Sequence, residues 1–199
     1  VAHAEAENPS ISLPPGWEAP PQVRLWETVP APAAYERASR LRMAGSANSE
    51  WVSRSQQAKP VEGSSEIDII LENDAVLVFL EAKLGSDIST RTTYDPDRNQ
   101  IVRNIDCLLD QAGGRTPIFW MLVRDAGEHR SYTQVLRHYR ANPEALMAEL
   151  PHQPTGLVAD VAQNLSLLRW HDVAKNVSQT QPDDNAEIEL IKAELGRRL

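Results

Sequence analysis

The chain has 199 residues and a net charge of −8, with 41% hydrophobic and 24% charged residues, a composition typical of one globular domain. Its one cysteine, Cys107, excludes an internal disulfide framework and a thiolate-rich zinc site. No apolar run approaches the ~20 residues of a membrane span, and the N-terminus lacks the order of a signal peptide. We therefore expect a cytoplasmic protein with no membrane partner.

The N-terminal region is rich in proline, with seven prolines in residues 1–32. Because proline lacks an amide donor and has a fixed φ, we predict an extended arm over residues 1–30, packed by Trp17 and Trp26. The chain begins with Val1 rather than methionine, and we expect that it has been trimmed. Beyond the arm we predict a core over 31–124 and a mainly helical C-terminal extension, packed on the core, over 125–199.

The core begins with a predicted helix after Pro32, whose apolar face would consist of Ala34, Ala38 and Leu41. Residues 51–57 alternate weakly and are predicted to form a strand. Residues 66–72 and 75–84 give much clearer strand patterns. Between these two strands we predict a two-residue hairpin turn at Asn73 and Asp74, which both tolerate positive φ.

Further elements follow from apolar periodicity along the rest of the chain. A helix is predicted over 96–112, ended by Gly113 and Gly114. The apolar run 117–123 predicts a buried strand. The remaining predictions are one or two helices over 131–150 with a break near Pro143, a short strand over 165–170, and an amphipathic helix over 184–198.

Strand parity brings several charged side chains together. Glu81 and Lys83 share one face of their strand, because successive side chains alternate. With the turn at Asn73 and Asp74, Asp68 pairs with Phe79 and Glu66 pairs with Glu81, so Glu66 and Asp68 join the same face. The second strand is otherwise apolar and is predicted to be central, where buried carboxylates are costly unless they are compensated. One lysine cannot neutralise three acids, whereas a divalent cation could.

These residues resemble a known family. Asp68, twelve intervening residues and then Glu81-Ala82-Lys83 are similar to the D…(D/E)xK signature of the PD-(D/E)xK nuclease superfamily, and Glu66-Ile67-Asp68 resembles the Glu-x-Asp strand of some of its branches. The resemblance covers residues 31–124. It implies an α/β fold, the restriction-endonuclease-like αβββαβ core, with a central mixed sheet flanked by helices. No proline precedes Asp68, and the acid that many members carry on the first helix could be Glu36 or Glu50.

The resemblance also implies a metal site and catalytic roles. Asp68 and Glu81 would hold Mg²⁺ or Mn²⁺, with the carbonyl of Ala82 and the carboxylate of Glu66 as further ligands. Lys83 would orient or deprotonate the attacking water and stabilise the developing charge. Gln100 resembles a glutamine that some branches carry beside the active site.

Helix periodicity lets Gln100 and Asn104, one turn apart, point back toward the sheet. Three arginines, Arg91, Arg98 and Arg103, are the candidate phosphate contacts, since guanidinium groups bind phosphate oxygens bidentately. Residues 91–141 contain eight arginines, although the chain as a whole is acidic. We interpret Asp97 as the cap of the helix rather than as a ligand, and we assign no chemistry to the histidines.

The leading hypothesis is a metal-dependent endonuclease that hydrolyses DNA, of the restriction or repair type. RNA is not excluded as a substrate, and a homodimer is compatible with the sequence. The alternative is a non-catalytic nuclease-fold module that serves as an interaction or scaffold subunit. The complete set of Asp68, Glu81 and Lys83 favours the enzyme, whereas the net charge of −8 favours the module.

Overall fold

The computed structural model describes residues 17–45, 62–92, 98–124 and 126–179. The strands in this part of the chain are β1 (Gln22–Val29), β2 (Ser65–Glu72), β3 (Val76–Lys83), β4 (Thr116–Val123) and β5 (Leu165–Arg169). The helices are α1 (Ala33–Gly45), α2 (Gln100–Gln111), α3 (Ser131–Ala141), α4 (Pro143–Glu149), α5 (Thr155–Gln163) and α6 (Trp170–Gln179). None of the described helices is long and apolar enough to cross a membrane.

The fold is α/β, and its strands form one mixed sheet with the order β1-β2-β3-β4-β5. The β1–β2 and β2–β3 pairs are antiparallel, whereas β3–β4 and β4–β5 are parallel. A parallel neighbour needs a crossover connection, and α2 lies in the crossover from β3 to β4. The prediction that the second hairpin strand, β3, is central and largely buried is confirmed.

Apolar side chains cover both faces of β3 and β4, as expected for central strands. On one face, Leu77 and Phe119 belong to the larger core, to which α2 contributes Ile101, Ile105 and Leu108. The opposite face belongs to a smaller cluster of Val76, Val78, Leu80, Ile118, Trp120 and Leu122, with Trp17 and Trp170 packed against it. The end of α2 follows the prediction, since Gly113 and Gly114 both have positive φ, 57° and 89°.

The predicted arm is wrong over residues 22–29, which form β1 at the edge of the sheet as the structure describes it. The seven prolines of this region all lie outside 22–29, so every amide of the strand remains available for pairing. Trp17 packs against Trp120, with ring centroids 5.8 Å apart, but Trp26 is 69% exposed and does not pack.

Consequently, the strand beside β2 precedes α1 instead of following it, and the order αβββαβ is not the one that the described residues show. The predicted strand at 51–57 lies outside the described residues, as does the predicted helix at 184–198. Among residues 33–40 of α1, the part whose side chains are described, the buried positions are Tyr35 and Ser39, one residue beyond the predicted Ala34 and Ala38, which are only partly buried. The side chain of the predicted Leu41 lies outside the described part.

In the C-terminal region, the helices of 131–150 with their break near Pro143 are confirmed, as are the strands predicted at 117–123 and 165–170. Sequence periodicity did not predict α5. The helix has only nine residues, which is too short for a clear helical period, and its buried residues are Val158, Val161 and Ala162.

The hairpin turn differs from the prediction by one residue. The amide of Asn73 donates to the carbonyl of Val76 (3.1 Å), and the Asn73 side chain accepts from the amides of Ala75 and Val76 (2.9 Å each), so the turn falls at Asp74 and Ala75. Moving a two-residue turn by one residue moves every partner by two. Every side chain therefore stays on its predicted face.

Candidate active site

The charged residues of the hairpin line one open cavity of about 430 Å³, where β2 and β3 meet the N-terminal turn of α2. Its lining consists of Ser65, Glu66, Asp68, Glu81, Ala82, Lys83, Ser89, Thr92, Gln100, Arg103 and Asn104. The predicted convergence of Glu66, Asp68, Glu81 and Lys83 on one patch is therefore confirmed.

Asp68 and Glu81 lie side by side on neighbouring strands. The β2–β3 ladder ends with Ile69 paired with Leu80, so Asp68 and Glu81 are the next residues of their strands. The predicted pairing of Asp68 with Phe79 is wrong, because Phe79 pairs with Ile70. At this point the Asp68 carboxylate replaces a ladder partner, because it accepts the amide hydrogen of Ala82 at 2.7 Å. This bond fixes the carboxylate of Asp68 beside Glu81.

Three donors surround the carboxylate of Glu81. Lys83 Nζ and Gln100 Nε2 both lie 2.8 Å from Oε1, and Asn104 Nδ2 lies 3.0 Å from Oε2. Glu81 is only 4% exposed. Side-chain donors from β3 and α2 thus hold a buried carboxylate in a single orientation.

Burial raises the pKa of Glu81 above its usual value, and the neighbouring charge of Asp68 raises it further. The hydrogen bonds from Lys83 and Asn104, and the charge of Lys83, oppose this shift without cancelling it. A carboxylate whose charge is under-compensated in this way favours a bound cation.

The first turn of α2 is held in place from several sides. Asn99 caps the helix by accepting the amide hydrogen of Val102 at 3.0 Å, so the predicted cap at Asp97, which is outside the described residues, is not needed. The Asn99 side chain also donates to the hydroxyl of Tyr139 on α3 (3.0 Å). The backbone amide of Gln100 donates to the carbonyl of Ser89 (2.9 Å). These contacts set the position of Gln100 above the sheet.

No family model, curated protein or solved structure matches this chain significantly. The arrangement of the side chains therefore carries the functional argument.

The donor set suits one kind of metal ion. Asp68 and Glu81 supply hard carboxylate oxygens, and the cavity is open to water; Mg²⁺ is usually held by one or two carboxylates together with waters and substrate phosphates. Ala82 also lines the cavity. Within the described residues, no three Asp, Glu, His or Cys side chains are close enough to form a metal-binding group. Glu66, which is exposed at the cavity, is therefore not part of such a group.

The three predicted phosphate contacts occupy very different positions. Arg91 is exposed, whereas Arg98 is only 4% exposed. Arg103 lines the cavity, but its guanidinium donates to the carbonyls of Gly63 (2.6 Å) and Ser64 (2.7 Å). Arg98 is thus wrong as a phosphate contact, because its side chain belongs to the protein interior.

Arg98 is the centre of a buried ionic cluster. Its guanidinium contacts Glu62 at 2.9 Å and Asp106 at 2.5 Å, and it lies 3.9 Å from the centre of the Tyr35 ring. Asp106, which is fully buried, also bonds to His152 Nε2 at 2.9 Å. The cluster ties α2 to α1 and to the loop after α4. His152, to which the sequence assigns no chemistry, therefore has a structural contact with Asp106.

Asn104, Ser89 and Thr92 belong to the cavity although sequence reasoning assigned them no role. For Asn104 the signal was present, since its spacing from Gln100 predicts that it faces the sheet. For Ser89 and Thr92 no sequence signal exists, because backbone pairing with the start of α2 positions them. Glu36 lies outside the cavity lining and accepts the amide hydrogen of Glu62 at 2.8 Å, while Glu50 is outside the described residues.

Proposed function

We propose that this protein is a metal-dependent nuclease that hydrolyses phosphodiester bonds of DNA. One observation carries the proposal: Asp68 and Glu81 share a cavity in which Lys83 contacts Glu81 at 2.8 Å. Two acids and a lysine in this relation supply what hydrolysis of a phosphate diester needs, namely cation ligands and a group that acts on water and charge.

Asp68 and Glu81 would hold Mg²⁺ or Mn²⁺. A bound divalent cation would lower the pKa of a coordinated water and offset the charge of the phosphate. Gln100 and Asn104 orient the Glu81 carboxylate through their amide donors, so that it does not need to reorganise during the reaction. Gln100 and Asn104 are therefore positioning residues for Glu81.

Lys83 would act on the water and on the phosphate. Its ammonium group can orient the attacking water and stabilise negative charge as the oxygen of water bonds to phosphorus and the opposite P–O bond breaks. The leaving oxygen then takes up a proton. Since Lys83 is a cation, its removal affects the reaction more than it affects metal binding.

The sheet supports the same proposal. We infer that β1, β2, β3 and β4 with α1 and α2 form a restriction-endonuclease-like core in which the edge strand comes from before the first helix. In this core the acids lie on an antiparallel hairpin, and the following helix covers them. Cleavage of RNA uses the same metal chemistry, and the test below therefore includes an RNA substrate.

The test is incubation of the purified protein with supercoiled DNA, single-stranded DNA and single-stranded RNA in Mg²⁺ or Mn²⁺, beside a Lys83→Ala variant. We expect metal-dependent cleavage of DNA by the parent. Lys83→Ala should retain metal and DNA binding and lose cleavage by orders of magnitude.

Asp68→Asn is the second variant, and it should lose both metal binding and cleavage. Arg140→Ala, an exposed change on α3, is the matched control and should cleave like the parent. Absence of cleavage of every nucleic acid by the parent, with no calorimetric signal for either metal, would overturn the proposal. Parent-like turnover by Lys83→Ala would remove the lysine from the mechanism.

A further inference from the structure

Trp26 is the most exposed large apolar side chain among the described residues. Its exposed fraction is 69%, and Val23 and Leu25 of the same strand are 57% and 50% exposed. A tryptophan normally buries most of its large ring surface. An indole ring that is mostly exposed on this strand therefore packs little against the part of the chain that the structure describes.

The backbone at Trp26 is also strained. Its φ of 52° makes it the one non-glycine residue with positive φ in the part of the chain that the structure describes. A bulky side chain at positive φ is a genuine outlier, and glycine is the residue that fits this conformation without strain. An unfavourable conformation at an exposed, bulky residue is more common at functional positions than elsewhere.

The position of Trp26 in the sheet links it to the candidate active site. The β1–β2 ladder pairs Leu25 with Ile69 and Glu27 with Ile67, so Trp26 falls between these two pairs, at the level of Asp68 on β2. Neighbouring strands are about 5 Å apart. The tryptophan thus lies one strand away from a proposed metal ligand, at the edge of the sheet.

Charge alone is a poor source of affinity at this cavity. Arg98 is buried in its ionic cluster, and Arg103 donates to two backbone carbonyls. The acids Glu66, Asp68 and Glu81 line the same cavity and, without a bound cation, repel a phosphate backbone. Stacking of a base on an aromatic ring is independent of these charges and requires a base that is free to leave its stack.

We propose that Trp26 stacks on a nucleobase of the substrate next to the cleaved phosphodiester, and that the preferred substrate carries an unpaired nucleotide there. Single strands, flaps and bulges present such a base, whereas a regular duplex does not. This inference rests on the proposed function and specifies its substrate class.

The experiment measures binding of fluorescent oligonucleotides in Mg²⁺, in a Lys83→Ala background so that the substrate stays intact. Trp26→Ala should weaken the binding of a single strand about 5- to 150-fold. Trp26→Phe, which keeps an aromatic ring, should lose much less. Leu25→Ala, a neighbouring exposed apolar change, is the matched control and should bind like its parent.

A scan of single abasic sites through the oligonucleotide distinguishes loss of base stacking from a loss of binding that does not involve any particular base. At one position the abasic site should weaken binding to the Trp26 protein but leave binding to Trp26→Ala unchanged. Trp26→Gly should show the same loss of binding with an equal or higher thermal midpoint, because glycine relieves the backbone strain. A folding defect therefore cannot account for the loss.

The outcomes distinguish the two proposals. If the parent cleaves and binds nucleic acid but Trp26→Ala keeps its affinity, only the role of Trp26 is overturned. An equal loss on single strand and duplex, with no abasic position that couples to Trp26, overturns it as well. If the parent neither binds nor cleaves any nucleic acid, the nuclease proposal fails and the stacking inference fails with it.

Discussion

At the scale of single residues, the negative charge of Glu81 is energetically unfavourable in the folded protein. Glu81 is buried beside Asp68, and among the described residues Lys83 is the cation whose charge opposes these carboxylates at Glu81. Its raised pKa means that the folded protein holds a proton at Glu81 more tightly than the unfolded chain does. This group therefore contributes more to stability as the pH falls through the raised pKa, which is the reverse of a salt-bridged carboxylate with a lowered pKa.

Metal binding should have the opposite pH dependence. Because a cation needs the ionised form of Glu81, we expect Mn²⁺ affinity to fall as the pH decreases, beginning at a pH above the ordinary glutamate pKa of 4.5. Calorimetry of Mn²⁺ binding from about pH 8 down to the ordinary glutamate pKa of 4.5 measures this dependence.

The matched control for that titration is Glu66→Gln, which changes an exposed carboxylate at the rim of the same cavity. It should retain both the affinity and the pH profile of the parent. A flat affinity between these pH values in the parent, or a Glu66→Gln variant without metal binding, would contradict the assignment of the ligands.

At the scale of elements, the placement of α2 decides whether the site is assembled. The helix brings Gln100 and Asn104 onto Glu81, and its own position depends on the ionic cluster of Arg98 with Glu62 and Asp106. Removing one member of a buried ionic cluster leaves an uncompensated buried charge. The stability of the helix and the geometry of the site are therefore linked.

Arg98→Met should lower the free energy of unfolding by about 3–5 kcal/mol, because Asp106 would lose its arginine and Glu62 would keep only its longer contact with Arg103 at 3.5 Å. Arg91→Met, the same change at an exposed position seven residues earlier, should stay within about 0.5 kcal/mol of the parent. Urea denaturation of the two variants measures both values. Equal stabilities would show that the cluster does not hold α2.

At the scale of the whole molecule, the distribution of charge matters more than the net charge of −8. Several arginines are engaged with carboxylates of the same chain, among them Arg98 in the interior and Arg115, which contacts Glu72 at 2.6 Å. Fewer cations are thus available to phosphates than the sequence indicates. Nucleic-acid binding should consequently show a shallow dependence on salt.

Arg91→Ala tests this point, since Arg91 is the exposed one of the three predicted phosphate contacts. We expect weaker binding across all sequences and a log–log salt slope that is smaller by roughly 0.7 on single strands or 0.9 on duplex. Arg140→Ala, an exposed arginine on α3, should leave the slope unchanged. A parent slope that corresponds to many phosphate contacts would contradict the shallow dependence.

The sequence predicted the features that depend on local patterns and missed those that depend on contacts between residues distant along the chain. Local periodicity was sufficient for the hairpin, α2 and β4, because alternating or helical patterns determine which side of an element is apolar. It was insufficient for β1, because the flanking prolines obscure a strand that is stabilised by pairing with β2, a partner distant in the sequence. It also assigned Arg98 to the surface, because burial of a guanidinium depends on acids that are distant along the chain.

The sequence by itself determined the face on which Asp68, Glu81 and Lys83 meet, since parity survives a turn that moves by one residue. Only the tertiary structure decided which donors surround Glu81, which arginines remain exposed, and that Trp26 lies at the level of Asp68 in the sheet. These properties depend on contacts between residues far apart in the chain, including the register of β1 against β2. The physical reason is that alternation is a property of one strand, whereas register, burial and charge compensation arise only when separate elements pack together.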